Sequence, residues 1–250
     1  YNALGLNLTG ANNVAMGRNA LLNNTTSSNT AVGFNSLCKT TTGTENVGIG
    51  KDVLKDNTSG AGNVAIGVEA LTNNTTASEN VAVGKLAMFT NTTGGANTAL
   101  GYQALRLNVS GASNTAIGLC ALRANTAANN TAVGASALIA NTTGTTNTAV
   151  GKSALTGNTT GTSNVAIGNA METNTTGSNN TAAGNGALQA NTTASGNTAF
   201  GRIALAANTT GANNVGVGFC ALRISTTGSG NTSVGACSLC HNTTASNNTA

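Results

Sequence analysis

The sequence predicts an all-β parallel solenoid, a β-roll of about fifteen turns of 16–17 residues with two short strands in each turn. Three observations carry that prediction. A five-residue motif returns at an almost constant interval, one Leu and one Val or Ile recur at fixed places between its copies, and the composition cannot fill a globular core.

The motif is Asn-(Thr/Val)-Ala-x-Gly, first complete at Asn13–Gly17 and last at Asn231–Gly235, with a restart at Asn248. Ten of the Gly-to-Gly intervals are 17 residues and three are 16. A fixed period of this size means a stacked repeat, and seventeen residues cannot hold two helices and their turns. β-branched residues in every copy disfavour helix as well.

The motif itself reads as the first strand. Alternation puts positions 2 and 4 on one face and position 3 on the other. Position 4 is large and apolar, as in Val32, Ile49, Ile66, Leu100, Ile117 and Phe200. Position 3 is always Ala, Gly or Ser, so a neighbouring backbone is expected close by. An Ala-Leu pair follows two residues after each Gly and reads as the second strand, with Met88 and Met171 as volume-conserving replacements of Leu. A polar Asn-Thr-Thr-Gly-x-x stretch closes each period and is expected to form an outward loop that takes up the length variation.

Two columns do not vary. Gly67, Gly118, Gly168 and Gly235 represent the first, which suits a corner needing positive φ or no Cβ. Asn63, Asn114, Asn164 and Asn231 represent the second. Asn serves turns through left-handed conformations or local hydrogen bonds, and at about 4.8 Å per turn it can also form an amide ladder. Both columns are read as structural.

Composition agrees. Charged residues make up 6% of the chain and aromatics 2%, with no Pro and no Trp. A low-complexity disordered linker would share that composition but has no reason to keep Leu in register. The net charge of +4 is spread thinly, with no basic cluster and no Lys/Arg stripe interleaved with aromatics, so nucleic acid is not an expected partner. No apolar run approaches a bilayer span. Residues 1–250 read as one array. It opens mid-unit on Tyr1-Asn2-Ala3-Leu4 and closes on Asn248-Thr249-Ala250, so the expectation is a window of a longer fibre.

Asn63-Val64-Ala65-Ile66-Gly67 and Asn164-Val165-Ala166-Ile167-Gly168 resemble the repeat core of the YadA-like head of trimeric autotransporter adhesins. The whole chain is similar to the Asn-Thr-Ala-x-Gly arrays of phage and virus tail-fibre-like proteins. The resemblance implies a left-handed roll, a homotrimer, and a role as stalk or adhesive head at a cell surface or on a virion. It departs from the autotransporter pattern in its longer unit and enlarged loop. Trimerisation has a separate argument: if Ala faces inward, strand one leaves a stripe of Val, Ile and Thr in water, and such a patch marks an interface. A lone roll would instead turn that stripe inward.

Candidate chemistry is sparse. Asn91, Asn141, Asn158, Asn174, Asn191, Asn208 and Asn242 each open an Asn-Thr-Thr sequon, candidates for covalent glycans if the loops face outward. Cys220 and Cys237 share a column one turn apart, a spacing that allows a disulfide. Cys237-Ser238-Leu239-Cys240-His241 matches a haem-attachment pattern, but the repeat accounts for each of its positions. One His and six scattered carboxylates offer no catalytic or metal set, and no cofactor is expected. The leading expectation is therefore a structural fibre rather than an enzyme. The alternatives are an adhesin for a surface glycan or matrix protein, and an ice-binder, although Val14, Val47, Val64 and Val81 interrupt the Thr column that ice binding needs.

Overall fold

The computed structural model describes residues 2–250 and contains fourteen three-residue strands, from Val14–Met16 to Thr232–Val234, with no helix among the described residues. The chain forms two compact units that divide at Asn129/Asn130, each holding seven strands. Within each unit a strand pairs in parallel with the strand one period later. Val47, Gly48 and Ile49 face Val64, Ala65 and Ile66 in the first unit. In the second, Val165, Ala166 and Ile167 face Thr181, Ala182 and Ala183, although that coil is one residue short. The architecture is the expected parallel β-solenoid.

Each strand covers motif positions 2 to 4 and ends at the invariant Gly. That Gly has φ between +122° and +139° in every copy except Gly168, where it is +83°. A methyl carbon placed on Gly101 would lie 2.5 Å from the carbonyl oxygen of Gly118. Backbone conformation and the next coil thus both exclude a side chain.

The second segment, positions 6 to 11, is not a strand, so each coil has one strand rather than two. Positions 7 and 9 are left-handed: Gln103 has φ +57° and Leu105 +51°, Ser153 +57° and Leu155 +54°. Position 8 between them has no such φ. The change of hand breaks the alternation of a strand and lets neighbouring residues point the same way, so Ala104 and Leu105 are both fully buried. The amide directions switch as well. Gln103 N–H donates to Lys85 O of the preceding coil, and Leu105 N–H donates to Ala121 O of the following one.

The interior follows from this. Every coil contributes Leu or Met at position 9 and a small residue at position 3, with Ala at position 8 in all but three coils (Ser36, Val53 and Ser238), as in Ala99, Ala104 and Leu105. Position 4 points out, with Ile49, Leu100 and Phe200 39%, 46% and 45% exposed. The inward side of the strand has no room for a larger group: a methyl carbon at Gly216 would already lie 3.3 Å from Leu205 Cγ. The core is a thin stack of Leu and Ala, and the β-branched stripe lies outside it.

Two of the three short coils, those opening at Asn13 and Asn114, lose their residue in the loop as expected. The third loses it between Gly168 and Ala170, in the position 6 to 11 segment, where the unusual φ of Gly168 falls. Length variation is therefore not confined to the loop.

Candidate functional site

Two asparagine ladders close the corner opposite the Gly. The motif Asn is fully buried and has ordinary negative φ; the residue before it, such as Glu79 or Ser113, is the left-handed one. Its role is therefore the ladder. Asn164 donates from its backbone N–H to Asn147 Oδ1 at 3.0 Å and from Nδ2 to the same oxygen at 3.2 Å. Its Nδ2 also reaches Gly177 O at 2.8 Å. Asn63, Asn114 and Asn231 receive the same backbone support, from Asn46, Asn97 and Asn214. The second ladder is the Asn that opens Asn-Thr-Thr. Asn174 Nδ2 donates to Asn158 Oδ1 at 2.9 Å and to Gly177 O at 3.0 Å. Both ladders thus converge on one inward carbonyl per coil, three residues after the second Asn, and satisfy a buried acceptor that would otherwise destabilise the turn.

This second ladder overturns the sequon expectation at six positions. Asn91, Asn141, Asn158, Asn174, Asn191 and Asn208 are fully buried, and Nδ2 of each is committed to Gly94, Gly144, Gly161, Gly177, Ala194 or Gly211. An N-linked glycan is joined through that nitrogen, so the folded coil has no place for it. Asn242 alone is half-exposed, with Nδ2 on Ala245 O at 3.0 Å. The outward part of the loop begins at the second Thr, as at Thr93.

All five cysteines are free thiols. Cys220 is buried and Cys237 exposed, so this structure does not join the pair proposed from their column. Cys240 Sγ lies 3.3 Å from His241 Nδ1 beside a shallow hollow of about 370 Å³. Burial pushes the Cys38 thiol above its ordinary pKa. Among the described residues no group of three His, Cys, Asp or Glu is placed to hold a metal, and no helix is long and apolar enough to cross a membrane.

The outer surface divides by chemistry. All 10 cationic residues fall at positions 6, 10 or 11, and four of the 6 carboxylates, Asp52, Asp56, Glu69 and Glu172, fall in the same segment of positions 6 to 11. Lys39 and Asp56 pair there at 2.8 Å, a contact that raises the lysine above its usual pKa. The strand face carries no charge at all. Its outward residues form an apolar stripe in each unit, through Ile49, Ile66 and Leu100 in the first and Val150, Ile167 and Phe200 in the second. Position 6 forms a second exposed column. In the first unit it reads Arg18, Phe34, Lys51, Val68, Lys85, Tyr102, Leu119. Cations do alternate with aromatic and aliphatic residues here, and the alternation is invisible along the chain because consecutive members are a full period apart.

Comparison with family models, with curated proteins and with solved structures returns no match to the chain.

Proposed function

We propose that this chain is shaft material of a long extracellular or virion-attached fibre, assembled as a homotrimer through the strand face, with no catalytic role. The observation that carries the reading is the uncharged stripe at position 4. Ile66, Leu100, Ile167 and Phe200 remain 37%, 46%, 48% and 45% exposed in a lone chain. An apolar band of that kind in each unit is costly in water and is relieved by burial against another surface. Identical coils present the band in the same register on every copy of the chain, so self-association buries it with matched spacing. The resemblance to trimeric fibre repeats points to three copies. The nearly uniform loops favour a scaffold over specific recognition along them, and the Asn ladders give each coil the same internal bonding whatever the array length.

Sedimentation equilibrium tests the assembly. The chain should sediment at three times its monomer mass, and the double variant Ile66→Asp/Leu100→Asp should fall toward monomer while its far-ultraviolet circular dichroism stays unchanged. A wild-type chain that remains monomeric at high micromolar concentration would sink the trimer.

A further inference from the structure

We infer that the exposed position 6 column of the first unit is a binding surface for a linear, sparsely charged anionic polysaccharide. The inference rests on the column itself and does not require the strand face to be covered.

The surface is built from six successive coils of that column. Arg18, Lys51 and Lys85 alternate with Phe34, Val68 and Tyr102, and all six side chains are exposed. Each belongs to the same place in its coil, directly after the invariant Gly, so the six form one straight file. With coils about 4.8 Å apart, a cation recurs about every 9.6 Å and an apolar or aromatic surface lies midway between cations. No carboxylate occupies the file. The adjoining position 7 column carries two acids beside it, Asp52 and Glu69, and Asp52 Oδ2 lies 3.8 Å from Lys51 Nζ. Its other oxygen accepts from Asn35 Nδ2 at 2.9 Å, and Lys51 itself stays 59% exposed. Arg18 lies over the Phe34 ring with 5.9 Å to the centroid, so the guanidinium and the ring form one continuous ledge.

The spacing selects the partner. Duplex DNA carries one phosphate per about 1.7 Å of axis, several times the charge density that this file can neutralise. A polysaccharide with one carboxylate on every second sugar has a matching interval and offers an uncharged sugar between charges, whose apolar C–H face can lie on Phe34, Val68 or Tyr102. The first unit also supplies its own comparison. In the second unit the same position reads Ala135, Lys152, Asn169, Asn185, Arg202, Phe219, Ala236; one cation–aromatic step survives, with Arg202 5.9 Å from the Phe219 centroid, but the alternation over successive coils is lost.

Affinity electrophoresis of the full chain tests this, with hyaluronan as the alternating polyanion, dextran as the uncharged control and single-stranded DNA as the dense polyanion. Hyaluronan should retard the chain and dextran should not. Lys51→Gln/Lys85→Gln should weaken hyaluronan binding about tenfold, since two exposed ion pairs are lost. Tyr102→Ser should weaken it with the charge kept, and Lys152→Gln in the second unit should leave it unchanged. Because all these side chains are exposed, unchanged circular dichroism will report an intact fold. Absence of hyaluronan binding, tighter binding to DNA, or equal loss from Lys152→Gln would each overturn the inference.

Discussion

The two asparagine columns are chemically alike, equally buried and converge on the same carbonyls, yet they tolerate change differently. The motif column is Asn in every copy, whereas the loop column admits Thr40 and Ser225. Their hydrogen bonds explain why. Each motif Asn gives its Oδ1 to a backbone N–H of the next coil, as Asn147 does for Asn164 at 3.0 Å. In the loop column the backbone N–H is satisfied within its own coil, as Asn174 N–H is by Met171 O, and away from Asn7 and Asn242, whose Oδ1 accept from Gly10 and Ala245 N–H, the side chain serves side chains and the shared carbonyl. Losing a motif Asn orphans a buried main-chain donor that nothing else can reach. Losing a loop Asn leaves only side-chain groups unpaired. At these replacements Thr40 Oγ1, Ser225 Oγ and Asn208 Oδ1 are buried with no hydrogen-bond partner, as is Asn108 Oδ1, which an Asn follows in the column.

This contrast can be broken most directly by removing one member of each column. Asn147→Ala should destabilise by about 4 kcal/mol, because it strips Asn164 N–H of its acceptor and Gly161 O of one donor. Asn158→Ala should cost about 2 kcal/mol, since it removes bonds to Gly161 O and Asn141 Oδ1 but orphans no amide. Hydrogen exchange resolves the two. The Asn164 amide should lose protection in the first variant and keep it in the second, and equal exchange in both would refute the explanation. Chemical denaturation of a stacked array reports a sum over neighbouring coils, so the local amide is the cleaner readout.

A repair experiment sharpens the same contrast. Ser225→Asn should raise stability by about 1 kcal/mol, supplying a donor to Asn208 Oδ1 and a second donor to Gly228 O, which now receives only Asn214 Nδ2. Asn208 and Asn242 occupy the same place one coil before and one coil after, so the side chain fits the repeat. A thermal scan with no rise in midpoint would count against the account. The smallest effect belongs to the surface. Thr159 Oγ1 donates to Thr175 O at 3.1 Å in an outer hydroxyl ladder, but water can replace it. Thr159→Val should change stability by no more than about 0.5 kcal/mol in the same scan. Val109 already holds that position in another coil, 45% exposed.

Much of this arrangement was legible in the period. The 16–17-residue spacing, the strand at positions 2 to 4 and the small residue at position 3 all follow from chain order and steric reasoning. Which strand face turns inward did not follow, because Ala on one side and Val or Ile on the other are both apolar. The Ala-Leu segment was misread for a definite reason. Leu at φ near +50° is disfavoured enough that no sequence rule places it there, yet Leu105 and Leu155 adopt it because the neighbouring coils dictate the backbone. The loop asparagines were misread as exposed because Asn-Thr-Thr is a good surface turn. Their burial was encoded in the Gly or Ala three residues on, whose carbonyl needs them. The alternation of Arg18, Phe34, Lys51 and Tyr102 has no signature in chain order because it exists only between layers.

The left-handed residues at positions 7 and 9 carry a further consequence, for how the molecule comes to exist. Holding a non-glycine residue in that conformation costs on the order of 1–3 kcal/mol, and every complete coil holds at least one, all but the coil of Asn180 two or more. A coil alone has little to offset this, since most of its amides find partners only in the layers above and below. The first pair of layers must therefore form against a steep barrier, after which each new layer is cast on a finished one. Refolding should show a lag that a short preformed array abolishes, the kinetics of a seeded crystal rather than of a collapsing globule.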